Sequence, residues 1–452
     1  MRFAPTLPTH ILEISKMSRS TLFVSSASLL IAASGAWASG TYYIVGTGKS
    51  PSGVSANGSV VAGTAGAGQP YWIWQSSNPG TGAAPVITNI GGISPGNGVG
   101  GQAKVSNDGD KISGSVNGFS GVPVMPATVV NQAALYDVSD STWSGVGGIG
   151  WYSGTETSGG WAVSGDGHVL AGLGWSPNQT TAYAIKSVDG GAATQLQWLV
   201  PGRSTRANGV NGDGSVIVGW QDRADGFRCA CVWTNGVGQR LWYTYPRAPL
   251  GEAQACSGDG NWVVGIGSLT PNGQAWRWSQ STGVQLLGEL DTTANNVMSA
   301  IATDITSDGS TIIGWERDPQ SPPLFTARSF IWTQANGIQD LTTWVTNQGV
   351  ALPTGVTTLS IATAISDDLR TIVGTANNGQ AFIIQIDPPA PFAPCNGDVN
   401  GDGHVNVIDL LSVVSAWGDC PETGACAADV TGDAQVNIND LLTVVGAWGD
   451  CP

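Results

Sequence analysis

The chain has 452 residues, of which 65 are glycine and only 11% are charged, and its acidic residues outnumber Lys and Arg 32 to 17. So few helix formers exclude long exposed helices, and a net charge of −15 repels phosphate backbones, which excludes nucleic acid as a partner. At 41% hydrophobic the chain can bury a sizeable core, and past its N-terminus no apolar run nears the roughly 18 residues of a membrane span.

The first predicted element is an export signal. Lys16 and Arg19 precede an apolar stretch from Leu22 to Ala33, and Ala36-Trp37-Ala38 supplies the small residues of a cleavage site. Cleavage is expected after Ala38, with Met17 as the expected start. The alternative is an uncleaved N-terminal anchor, disfavoured because serines interrupt a short apolar core. Export would leave the protein secreted or held at the cell surface, where cysteine pairing is permitted.

Seven copies of one phrase follow: Val54-Ser55-Ala56-Asn57-Gly58, Val105-Ser106-Asn107-Asp108-Gly109, Val163-Ser164-Gly165-Asp166-Gly167, Val210-Asn211-Gly212-Asp213-Gly214, Cys256-Ser257-Gly258-Asp259-Gly260, Ile305-Thr306-Ser307-Asp308-Gly309 and Ile365-Ser366-Asp367-Asp368-Leu369. An Asp-Gly or Asn-Gly pair between apolar residues supplies the positive φ of a tight hairpin. Each copy then runs into an apolar strand that ends in glycine, at 63, 114, 172, 219, 265, 314 and 374. A third strand recurs, as in Trp72-Ile73-Trp74 and Ala275-Trp276-Arg277-Trp278, and a fourth in Gly283-Val284-Gln285-Leu286-Leu287 and Gly337-Ile338-Gln339-Asp340-Leu341. Four strands per roughly 50 residues is the arithmetic of a propeller blade. Residues 39–385 are therefore expected to form a mainly β, seven-bladed propeller, which explains the period better than a solenoid or two sandwiches. The last copy has no fourth strand, and Tyr42-Tyr43-Ile44-Val45 is expected to supply it and close the ring.

These residues resemble the extracellular HAF-type repeat proteins, in which a valine-serine-x-aspartate-glycine hairpin leads to an alanine-aromatic strand. The resemblance spans about residues 40 to 386 and implies no defined activity. It departs from the family in lacking its histidine, whose place Gln274 and Gln380 take in two copies.

Residues 386–394 contain four prolines and read as a stiff linker. Beyond it, residues 395–452 carry nine acids and no Lys or Arg, and they duplicate with a shift of 31: Cys395 onto Cys426, Asp398 onto Asp429, Asp409 onto Asp440, Trp417 onto Trp448, Cys420 onto Cys451. Asp398, Asn400, Asp402, Asn406 and Asp409 fall at positions 1, 3, 5, 9 and 12 of a calcium loop, with Gly403 at the sharp turn and His404 ligating through its carbonyl. Asp429, Thr431, Asp433, Gln435, Asn437 and Asp440 repeat the pattern. Two calcium ions are expected, the second held more weakly because Ala434 replaces the turn glycine and Thr431 replaces an amide or carboxylate. One helix follows each loop. A loop-helix pair of this kind resembles a type I dockerin, an α-helical module that implies a cohesin-like partner or cell-surface assembly. The resemblance places partner selection at Val407, Ile408, Ile438 and Asn439, which depart from the family's small hydroxyl pair.

A helix of roughly 8 to 10 residues carries Cys420 more than about 10 Å from its own loop, while antiparallel helices bring it beside the other. Disulfides are therefore expected between Cys395 and Cys451 and between Cys420 and Cys426. Of the body's Cys229, Cys231 and Cys256, the last two stand where sibling repeats place an aromatic and a valine and read as core substitutes, and the odd count leaves at least one thiol unpaired.

Catalysis finds little support. His168 beside a turn and His404 in a calcium loop are the only histidines past the leader. Asp108, Asp166, Asp213, Asp259 and Asp308 recur in register, as turn formers do. Candidates among the other acids, such as Asp137, Glu156, Asp222, Asp225, Glu252, Glu289, Asp291 and Glu316, would have to converge in pairs to make a glycosidase. Trp72, Trp74, Trp276, Trp278 and Trp332 are expected between blades, whereas Trp175, Trp220 and Trp315, just past closing glycines, could face a ligand such as polysaccharide. The expected function is a secreted, non-catalytic binding or scaffold propeller anchored by its calcium-dependent tail. A carbohydrate-active hydrolase is the alternative.

Overall fold

The structure is a computed structural model and describes residues 39–81, 84–93, 102–119, 129–149, 157–177, 180–244, 247–267, 270, 273–290, 299–317, 327–387, 396–400, 404–421 and 426–450. The leader, linker residues 388–394, Cys395, Cys451, Glu156, Asp291, Asp402 and Gly403 lie outside the described residues.

The repeated phrase builds one device seven times. In the fifth copy the Ser257 hydroxyl donates to Asp259 Oδ1 at 2.6 Å, Ser257 Oγ accepts from Trp262 N at 3.0 Å, and Asp259 Oδ1 accepts from Asn261 N at 2.9 Å. Ser106 with Asp108, Ser164 with Asp166, Thr306 with Asp308 and Ser366 with Asp368 do the same. In the fourth copy Asn211 replaces the hydroxyl and bonds Asp213. Burial pushes the carboxyls of Asp108, Asp259 and Asp308 up, but their hydroxyl and backbone donors prevail and hold them below the ordinary aspartate value. These acids are turn formers. The Ser257→Ala substitution strips both the Trp262 N–H and Asp259 of a buried partner, and a loss of about 1–2 kcal/mol is expected, read as a lower urea midpoint.

The hairpins assemble into seven sheets. The first blade comprises Ser50–Val54, Val60–Thr64, Tyr71–Gln75 and Thr88–Gly91. The second has Lys111–Phe119, Val129–Asp137 and Thr142–Gly145, and its inner edge shrinks to a single bridge from Val105 to Ile112. Blades three to six each show four antiparallel strands in chain order and start at Ser158, Thr205, Ala253 and Ser299. The seventh has Leu359–Ile365, Thr371–Ala376 and Gln380–Ile386, completed by Gly40–Thr47 with Tyr42 opposite Ile384. The chain's N-terminal strand thus closes the ring, as its missing fourth strand requires.

Opposite most of the closing glycines the inner strand bulges, and its carbonyl crowds in. A Cβ on Gly219 would stand 2.0 Å from Arg206 O, and one on Gly314 2.1 Å from Ile301 O. That close approach is why glycine stands there, and the strands do not end at it as expected but run on, to Trp175, Asp222 and Arg317 in blades three, four and six.

Seven apolar clusters lie one to each junction between neighbouring blades. Ala255, Val264, Ala302, Ile312 and Phe330 join blades five and six, and Tyr43, Val61, Trp72, Trp74 and Ile383 join seven to one. Trp72, Trp74, Trp276 and Trp332 are buried here, and Trp278 is partly buried. Cys229 and Cys231 are free, fully buried thiols packed between blades three and four. Burial pushes the Cys231 thiol well up and raises the Cys256 thiol to about 12, so both are inert. A helix that the sequence pattern did not reveal, α1 (Leu341–Asn347), seals the junction of blades six and seven with Leu341 and Val345, capped by Asp340 through Thr343 N at 2.8 Å. A second addition is the ribbon Trp242–Thr244 with Arg247–Pro249.

The third residue of each phrase rims the central channel. Ala56 N donates to Asn107 O, Asn107 N to Gly165 O, Gly212 N to Gly258 O, Gly258 N to Ser307 O, and Asp367 N to Ala56 O. Between blades six and seven the Asp367 carboxylate takes over, accepting from Ser307 N at 2.6 Å. In the tail, α2 (Val407–Ser415) and α3 (Ile438–Gly446) pack together over Val405, Val413, Ala428, Val436 and Val444. Among the described residues no helix is long and apolar enough to cross a membrane.

Candidate metal centre and partner surface

Each tail loop ends on a helix cap that the sequence dictates. Asn406 accepts from Ile408 N at 2.7 Å, and the Asp409 carboxylate accepts from Asn406 N at 2.9 Å, a reciprocal capping box. Asn437 and Asp440 repeat it on α3. Asp409 and Asp440 are fully buried, and each reaches back across its loop: Asp409 Oδ1 accepts from Val399 N and Asn400 N, and Asp440 Oδ1 accepts from the Thr431 hydroxyl and N–H. The third and last ligand positions of each loop are thereby held together.

In the second loop, carboxylate oxygens of Asp429, Asp433 and Asp440 lie within 4.8 Å of one another. Oxygens roughly 2.3–2.6 Å from one calcium ion would stand at such separations. Asp429 collects the N–H groups of Gly432 (2.7 Å), Asp433 (3.1 Å) and Ala434 (2.8 Å), and Gln435 and Asn437 flank Asp433. Ala434 sits at φ 67°, the left-handed conformation that glycine adopts freely. The donor set fits a hard divalent cation. In the first loop Asp398, Asn400, His404, Asn406 and Asp409 occupy the corresponding chain positions, and the His404 ring is exposed.

The loops are cross-tied. His404–Val405 pairs with Gly449–Asp450 after the opposite helix, and Gln435–Val436 pairs with Gly418–Asp419. A disulfide joins Cys420 to Cys426, as helix length requires.

Outward from the shared core each helix presents apolar residues to solvent. Val407, Ile408, Leu411, Val414 and Trp417 line α2 and its end, and Ile438, Leu442, Val445 and Trp448 line α3, all 48–58% exposed. Sequence reasoning singled out Val407, Ile408, Ile438 and Asn439, but the stripe continues one and two turns further. Helical spacing from Val407 would have revealed this.

On the propeller, Trp220 is 4% exposed and lies beneath Arg228 at 4.0 Å and Arg206 at 5.3 Å. It therefore offers no ligand-facing surface, a correction that arginines from strands beside it impose. Trp175 and Trp315 are half-buried. Most of the candidate acids that are described do not stand free. Glu252 pairs with both Arg206 and Arg228, Asp137 with Lys111, Asp225 with Arg223, and Glu289 accepts from Gln274. Asp222 is pushed up by burial, against the pull of Arg228. His168 contacts Asp189 on the surface. Fully buried Glu316 accepts from Leu290 N at 3.1 Å and from Arg328 at 3.2 Å. Gln221 fills the same place in blade four, accepting from Leu199 N at 2.9 Å. The central channel, about 110 Å³, is lined by inner strands and carries Lys104 and Asp304. It falls well under the roughly 300 Å³ at which small-molecule sites begin. Burial raises the Asp304 carboxyl, opposed by Lys104, and its Oδ2 accepts from Ile365 N.

Residues 396–446 match the dockerin type I domain family, and the tail is such a domain. No curated protein matches the chain. Among solved structures the chain is similar to an oligogalacturonate lyase in complex with manganese (13% identity over 77% of this chain and 91% of that one, TM-score 0.43). Others are an oligogalacturonate lyase from Vibrio parahaemolyticus (11%, 77% and 91%, 0.42) and the β-propeller domain of the Trilobed protease from Pyrococcus furiosus (10%, 76% and 95%, 0.43).

Proposed function

We propose that this protein is a secreted, non-catalytic propeller that serves as a binding or scaffold module and is tethered by its dockerin to a cohesin-type partner. Residues 1–38 would act as the export signal and 386–394 as the spacer. Two calcium ions, the second bound more weakly, would fold the loops and set the helices. The observation that carries this is the duplicated apolar stripe beside the loops. A small module does not expose nine large apolar side chains, eight of them at matched positions of its two halves, unless a partner covers them. Full-length protein tested by biolayer interferometry against a panel of cohesins should bind in calcium and release in chelator. Failure to bind any cohesin, or binding indifferent to chelator, would overturn the proposal.

A hydrolase would need a buried acid free to deliver a proton, and of the candidate acids that are described Glu316 is the fully buried one. Its likeness to Gln221 makes it a loop anchor. Burial raises its carboxyl above the ordinary glutamate value, with Leu290 N–H and Arg328 opposing. A raised carboxyl favours the fold below its unfolded pKa, and that contribution is lost as pH rises through the folded value. Glu316→Gln should therefore preserve the fold and flatten the fall in stability above the ordinary glutamate pKa, checked by melting temperature against pH. Glu316→Ala should cost about 1–3 kcal/mol by leaving Leu290 N–H unpaired.

A further inference from the structure

Gly418, Asp419, Cys420 and Cys426 grip the second calcium loop at four of its twelve positions. Cys426 O accepts from Asp429 N at 3.0 Å, which fixes the loop's first ligand, and Cys420 N donates to Ala434 O at 3.0 Å, which fixes its sixth position. Gly418 and Asp419 pair with Val436 and Gln435, and Gln435 Nε2 donates to Asp419 Oδ1 at 3.0 Å. Cys420 Sγ lies 3.7 Å from Asp429 Oδ2. The two residues that hold the loop by its first and sixth positions are the two joined by the disulfide.

That grip falls where the loop is weakest. Ala434 is held left-handed at φ 67°, a conformation a Cβ resists, and the Thr431 hydroxyl is turned to Asp440. The first loop, whose strand His404–Val405 is tied to Gly449–Asp450 in the same way, has Gly403 in the corresponding place.

Resting on the calcium assignment above, we infer that the Cys420–Cys426 disulfide is a positioning element for the second calcium site. It keeps Asp429 and the strained Ala434 turn in the ligating arrangement, offsetting the two substitutions that set this loop apart. The bond acts through backbone position and touches no ion, so its removal acts on one site and leaves the other.

The test uses the full chain and calcium alone, titrated calorimetrically. Asp398→Asn isolates the second site and Asp429→Asn the first. Adding Cys420→Ser with Cys426→Ser should raise the second-site Kd about tenfold and leave the first within about twofold. Ala434→Gly in that background should recover several-fold of the loss, because glycine needs no clamp to hold this turn; a disulfide that merely stabilised the whole tail would not be rescued there. An unchanged second site, an equal loss at both sites, or no rescue by Ala434→Gly would overturn the inference. Absence of any calcium step in the unmutated chain would instead remove the calcium assignment, a separate failure.

Discussion

Chelation of calcium is expected to lower affinity for a cohesin by about 100-fold or more while leaving the propeller's melting transition in place. Among the described residues the tail's shared core is small: five buried apolar residues, none larger than valine, serve about fifty residues of chain. So small a core rarely holds a fold without a metal or cross-link. Three carboxylates gathered within 4.8 Å repel one another until a cation sits among them. Asp440 of this trio also closes the capping box of α3, as Asp409 does for α2, so losing the ions loosens the helices and disperses the apolar stripe they display. Far-UV circular dichroism should lose helical signal on chelation, and calorimetry should lose only the tail's transition. Retained helix and retained binding would refute the coupling.

Removal of residues 40–47 is expected to unfold the ring or drive it into aggregates. Tyr42, Tyr43 and Val45 are buried in the junctions on either side of blade seven. At roughly 1.5–3 kcal/mol for each buried side chain, their loss removes roughly 5 kcal/mol or more, comparable with the whole stability of many domains. It also bares Gln380–Ile386 as a flat apolar edge open to pairing with another chain. Ile384→Ala, which hollows the same seam without exposing the edge, should cost about 2–5 kcal/mol. Size-exclusion chromatography and thermal melting separate the two effects. A deletion variant that stayed monomeric with an unchanged melting temperature would show that the ring closes some other way.

Much of this was legible in the residues because local rules acted alone. The Asp-Gly pairs announced the hairpins, and the incomplete seventh repeat pointed to Tyr42–Val45 as the closing strand. The 31-residue duplication laid out the loops, and helix length separated Cys420 from its own half. What stayed hidden depends on neighbours distant in sequence. Nothing near Trp220 announces that Arg206 and Arg228 will cover it. The anchoring duty of Glu316 appears only when blade six is laid over blade four and Gln221 is seen in its place. The α1 helix begins at Leu341, which the repeat pattern assigns to the fourth strand; it is short, and its apolar pair, Leu341 and Val345, gains meaning only from the junction it plugs. The clamp on Ala434 arises from a strand that crosses from the other half of the duplication, which no single repeat contains.

The most direct measurement is the number of calcium ions bound by the intact chain, counted by native mass spectrometry and calorimetry beside a chain ending at residue 394. Two ions on the full chain and none on the shortened one are expected. No calcium on the full chain, or the same number on both, would contradict a metal-built docking module at the C-terminus.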